Sequence, residues 1–138
     1  MTRVIVGMVL LGVAAVAARA ASRRRRPAPP IRTQRAVPAQ LHRSDFPRPD
    51  VPWIVILFSS STCASCAPMA DKVRALASDE VAVAVIEFTE HRALHERYGI
   101  DAVPLVVIAD RDGVTRASFA GAVSAGDLWA AVAQLRDR

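Results

Sequence analysis

The chain has 138 residues, 18 basic and 13 acidic side chains, 52% apolar content and two cysteines, which is enough for one ordinary domain with an appendage and excludes a second large domain. Its net charge of +5 is divided unevenly: residues 1–50 carry ten Arg against two Asp, and residues 51–138 carry eight basic against eleven acidic groups. The high isoelectric point therefore belongs to the leading segment, and whole-chain charge gives no ground for a nucleic-acid-binding domain.

From Val4 to Ala18 no residue is charged, and the apolar run continues through Ala20 and Ala21 past Arg19. A spanning helix needs about twenty such residues, and an Arg near the end can snorkel to the headgroups. Residues 1–22 are thus predicted to be a transmembrane anchor, contacting the membrane through residues 4–21. A cleaved signal peptide is the competing reading, because Ala18-Arg19-Ala20 loosely fits a small-x-small site. The flanks favour the anchor: only Arg3 precedes the run, whereas Arg19, Arg23, Arg24, Arg25, Arg26, Arg32 and Arg35 follow it. Basic flanks stay inside, so a single-pass protein with its domain in the cytoplasm is expected, an extracytoplasmic domain being the alternative. The Arg23–Arg26 cluster reads as an orientation signal against anionic lipid rather than a nucleic-acid site. Residues 23–50 form a basic linker in which Pro27, Pro29, Pro30, Pro38, Pro47 and Pro49 prevent any sustained helical or strand period.

Residues 51–138 read as an α/β domain. Trp53 to Phe58 is a continuous apolar run suited to a strand buried on both faces. Met69, Val73 and Leu76 recur at helical spacing, predicting a helix from Cys63 to Ala77 capped by Ser61 or Thr62. Val81 to Phe88 is a second buried strand, and Thr89 caps a short helix through Arg97 that turns Leu94 and Tyr98 inward and closes at Gly99. Leu105 to Ala109 and Val114 to Ala120 make a hairpin through Asp110-Arg111-Asp112-Gly113, its second strand near an edge. Ser124, with Asp127 three residues on, opens a final helix with the apolar stripe Leu128, Val132 and Leu135.

The chemistry sits in Cys63-Ala64-Ser65-Cys66. Two cysteines so close in sequence clip almost no chain entropy, so their purpose is chemical rather than architectural. Where a buried strand turns into a helix, unpaired amides and the positive end of the macrodipole stabilise a thiolate on Cys63. The two-residue spacing lets Cys66 resolve a mixed disulfide formed there.

From Trp53 onward the chain resembles thioredoxin. The resemblance rests on CASC after a buried strand ending in Phe58, on Tyr98-Gly99-Ile100-Asp101-Ala102-Val103-Pro104, on the hairpin through Asp112-Gly113 and on Phe119-Ala120-Gly121-Ala122 before the last helix. It implies a minimal thioredoxin-like fold, a mixed four-stranded sheet flanked by three helices, and a thiol–disulfide oxidoreductase in which Cys63 attacks and Cys66 resolves. It further implies a cis-proline at Pro104 and a substrate-docking edge formed by Thr62, Val103, Pro104 and Gly121, with no bound cofactor and no metal. The partners implied are protein or small-molecule disulfides and dithiols together with an electron donor or acceptor. Two departures stand out. The family's buried acid on the central strand is Leu57 here and its Lys partner is Val85, an exchange that leaves no unpaired buried charge. The helix proline falls at Pro68, where it is expected to disturb the first helical turns.

Two other readings compete. Cys63, Cys66, His91 and His95 could be counted as zinc ligands, since His-x-x-x-His is a helical half-site, but a whole strand separates the pairs; the plainer reading puts both histidines on a solvated face. A non-enzymatic adaptor with idle sulfurs is the other.

Overall fold

The computed structural model describes residues 37–137. The expected anchor at residues 4–21 and the first part of the linker lie outside the described residues, among which no helix is long and apolar enough to cross a membrane.

Four strands, β1 (Trp53–Ser59), β2 (Val81–Glu87), β3 (Leu105–Ala109) and β4 (Thr115–Ala120), form one sheet in the order β2-β1-β3-β4. β1 runs parallel to β2 and antiparallel to β3, and β3 and β4 form the antiparallel hairpin. The central position of β1 explains its unbroken apolar run: Ile54 to Ser59 are all buried, with alternate side chains facing opposite layers. β2 is an edge strand rather than a fully buried one, and Val83, Val85 and Glu87 are half-buried on it. β4 is the other edge and alternates, turning Ala117 and Phe119 to the core.

One layer contains α1 (Cys66–Arg74) and α3 (Ala125–Arg136). Met69, Val73, Leu128 and Val132 from these helices pack on Val55, Leu57, Val106 and Ile108. Ser124 caps α3, its Oγ accepting from the Asp127 amide at 3.1 Å. The helix expected from Cys63 to Ala77 is shorter at both ends. Cys63 N donates to Ser60 O and Cys66 N to Cys63 O, both at 3.1 Å, so two tight turns precede the first helical residue. Ser65, not Ser61 or Thr62, is the N-cap residue, and its side chain does not cap. Pro68 is then the third helical residue, where an N–H has no intrahelical partner to lose, so it fits the first turn without disturbing it.

The opposite layer contains α2 (Arg92–Arg97) and, unexpectedly, residues 37–51. α2 begins after His91 rather than Thr89, and Gly99 follows it at φ 61°. Residues 37–50, read from sequence as part of the linker, are folded onto the sheet. Leu41 and Phe46 are buried against Ile54, Ile56, Phe58 and Tyr98. Gln40 bridges Val114, and Leu41 N donates to Gly113 O at 2.8 Å. The approach is so close that a Cβ on Gly113, already at φ 79°, would collide with the Leu41 carbonyl. Arg43, 8% exposed, donates from Nη1 to the carbonyls of Val51 (3.1 Å) and Asp110 (3.0 Å) and from Nη2 to that of Arg48 (3.1 Å). Prolines stopped a helix or strand from forming here, but they did not stop burial.

Candidate dithiol site

The topology gathers four loops at one end of the sheet. Ser59, last in β1, pairs with Glu87, last in β2; Phe58 pairs with Leu105, first in β3; and Leu105 pairs with Ala120, last in β4. The segments 60–65, 88–91, 102–104 and 121–124 therefore share that end.

Cys63 and Cys66 are joined as a disulfide with their Cα atoms 5.4 Å apart. They are unequal: Cys66 is buried on the first turn of α1, and Cys63 is half-buried in the turn before it. Ser65 Oγ lies 3.5 Å from Cys63 Sγ, within reach of a hydroxyl–sulfur hydrogen bond. Thr62 is exposed, and its amide donates to Ser60 Oγ at 3.3 Å. Leu57 and Val85 are direct partners across the parallel strands and lie in the same core layer, so the acid and lysine of the family pattern are replaced by two apolar groups in register.

The Val103–Pro104 peptide is cis. Pro104 is buried and Val103 half-buried. Gly121, at φ 86°, donates its N–H to Pro104 O at 2.8 Å, tying the two loops together. The segment after Gly121 is gripped from α1: Lys72 Nζ donates to Val123 O at 2.8 Å, and Val123 N donates to Met69 Sδ at 3.5 Å. The helix that begins at Cys66 thus holds the loop that holds Pro104.

Sequence reasoning missed two residues near this end. Glu87 uses its carboxylate to accept from three backbone amides, Ser61 at 2.9 Å, Thr89 at 2.6 Å and Glu90 at 3.0 Å. The hydrogen bond from Ser61, joined by those from Glu90 and Thr89, holds this carboxyl below its ordinary value. Its signal was a lone acid ending an apolar strand. His95 is the second: 2% exposed rather than solvated, it sets its ring edge-on to Phe58 and Phe88, with centroids 5.3 Å away in each case. Its Nε2 donates to Ile86 O at 2.9 Å, since a carbonyl can only accept. The spacing of His95 to Tyr98, three residues along one helix face, could have shown it. His91 stays exposed. The four residues counted as zinc ligands are therefore not brought together: the sulfurs are bonded to each other, His95 points into the core, and no group of three or more His, Cys, Asp or Glu among the described residues could hold a metal.

A central strand ending in a CxxC disulfide, with a cis-proline beginning the neighbouring antiparallel strand, defines a small α/β dithiol domain. The thioredoxin-like domain profile matches residues 44–136, and the chain belongs to this family. Solved structures agree. The chain is similar to the germline-specific thioredoxin Deadhead of Drosophila melanogaster, with 31% identity and a TM-score of 0.55 over 63% of this chain and 84% of that one. It is also similar to a Fasciola hepatica thioredoxin (27% identity, TM-score 0.54, 62% and 83% covered) and to a mutant thioredoxin of Halobacterium salinarum (29%, 0.51, 57% and 70%). No curated protein sequence matches it. The fold is thioredoxin-like, with a four-stranded mixed sheet and three helices, and residues 44–52, ahead of β1, lie within the family match.

Proposed function

We propose that the protein is a membrane-anchored thiol–disulfide oxidoreductase acting as a protein-disulfide reductase. The observation that carries the reading is the unequal pair at the sheet end: a half-buried Cys63 open to attack and a buried Cys66 one turn away. In the reduced domain the Cys63 thiolate attacks a client disulfide, forming a mixed disulfide and releasing one client thiol. Cys66, deprotonated as it reacts, then attacks Cys63 Sγ, and the second client thiol leaves. The client gains two electrons and two protons, and the domain keeps the disulfide until a dithiol donor reduces it. Thr62, Val103, Pro104 and Gly121 lie in loops at the same end of the sheet as the pair, and in this reading they form the edge on which an extended client segment docks, through the Val103 backbone rather than a particular side chain.

Insulin reduction with a dithiol donor tests the activity. Cys63→Ser should abolish turnover, whereas Cys66→Ser should accumulate mixed disulfides with clients; adducts trapped by Cys63→Ser alone would reverse the roles. No turnover by the wild type would favour the adaptor reading. The anchor at residues 4–21 and the cytoplasmic side rest on the Arg flank after the apolar run. A membrane-impermeant thiol reagent should label Cys63 only after lysis. Labelling in intact cells would place the domain outside and point to oxidative folding or cytochrome maturation, and a mature N-terminus at Ala21 would remove the anchor.

A further inference from the structure

We propose that Glu87 is a positioning residue of the dithiol site, tethering the loop that carries Cys63 and biasing the pair toward the disulfide. The inference rests on the thiol–disulfide reading and goes beyond it by assigning a determinant of the redox balance.

Glu87 ends β2 directly opposite Ser59, the last residue of β1. One carboxylate oxygen accepts from Ser61 N, in the loop that leads to Cys63, and the other from Thr89 N and Glu90 N in the loop on the far side. No ion pair found among the described residues includes Glu87, so its charge is met by those amides and by the Thr89 hydroxyl, which donates to the oxygen that Ser61 uses at 3.4 Å. The tether acts on the turn that ends at Cys63, because Ser60 O accepts from Cys63 N at 3.1 Å and Ser60 Oγ accepts from Thr62 N at 3.3 Å. The usual acid and lysine of the strands below are absent, their places being taken by Leu57 and Val85. Glu87 is therefore the acidic group fastened directly to the Cys63 loop.

Two effects follow, and they have the same sign. A loop already held at Ser61 loses less freedom when the disulfide closes, which favours the oxidised form. A carboxylate fastened to that loop from the end of β2 opposes a thiolate at Cys63, which disfavours the reduced form. Removing Glu87 should therefore make the pair more oxidising.

The test uses the full chain in detergent, equilibrated against reduced and oxidised glutathione, with the fraction oxidised read by thiol labelling. Glu87→Ala should lower the equilibrium constant for disulfide formation about tenfold, a potential about 30 mV less negative. Glu87→Gln, which drops the charge and keeps one acceptor oxygen, should lower it about threefold, and it decides the matter if the alanine variant fails to fold. A purely structural role would lower the melting temperature of both redox forms equally and leave the constant alone. A constant within twofold of wild type in the folded variants, or a shift to a more reducing pair, overturns the proposal. Insulin reduction by the wild type reads the underlying activity separately: inactive wild type with a shifted constant would sink the reductase reading and leave Glu87 in its role, and active wild type with an unmoved constant would do the reverse.

Discussion

Leu57 is fully buried and paired with Val85, so a charge introduced at either position has to be met by the other. Leu57→Asp should cost about 3 to 5 kcal/mol, because an uncompensated carboxylate is placed in the core. Adding Val85→Lys should recover a measurable part of that loss, the two residues being neighbours in register; urea melts of the single and double variants would expose strict additivity, the contrary outcome. Asp45 works oppositely, as an acid whose partners are present. Its carboxylate accepts from Tyr98 Oη at 2.5 Å and from Arg97 Nη1 at 2.7 and 2.9 Å, and these bonds, Tyr98 first, hold it below the usual carboxylate range. A group whose folded value is depressed stabilises the fold above its unfolded value and loses that contribution as pH falls through the folded one. Stability should therefore decline in acid below about pH 4, where free Asp carboxyls begin to protonate. Asp45→Asn should cost about 1 to 2 kcal/mol at pH 7 and little at pH 2, measured by denaturant melts at both values. The Leu57–Val85 substitution could be seen in sequence, since strand alignment alone places both residues. Asp45 could not, because its partners lie 52 and 53 residues away and meet it only through the packing of the preceding segment on α2.

At the scale of elements, α1 is both the carrier of Cys66 and the brace of the loop after β4. Lys72, the chain's one lysine, and Met69 satisfy the two backbone polar groups of Val123. Lys72→Met keeps the stem and deletes the donor, leaving the Val123 carbonyl to find water. Amide hydrogen exchange at residues 121–124 should accelerate several-fold while the strands keep their protection, and unchanged exchange there would show that the ion–carbonyl bond does not hold the loop. The helices were readable as periodic apolar stripes, but their first turns were not. Whether Cys63 continues the helix depends on where Ser60 O and Cys63 O find donors, and both are spent on tight turns. In the same way, the apolar β2 reads as a buried strand, and only the strand order places it at an edge.

For the molecule as a whole, the folded unit begins earlier than its first strand. A chain starting at residue 37 should fold and keep a cooperative thermal transition, whereas one starting at residue 51 should not. The shorter form lacks Leu41 and Phe46, each worth about 1.5 to 3 kcal/mol of apolar burial, and the Arg43 clip to Val51 and Asp110, against a total stability of about 5 to 15 kcal/mol. Equal melting temperatures for the two truncations would show that the segment only rests on the sheet. Local periodicity and adjacent residues are enough to place the strands and the apolar stripes of the helices between residues 53 and 136, the hairpin turn, the Ser124 cap and the Cys63–Cys66 pair, though not the first turns of the helices. The tertiary structure decided what depends on distant partners: that a proline-rich stretch covers one face of the sheet, that His95 is buried between two phenylalanines, and that Glu87 reaches the Cys63 loop. Burial and hydrogen bonding join residues by position in space, and a pattern read along the chain has no record of which carbonyl or amide will stand opposite a given side chain.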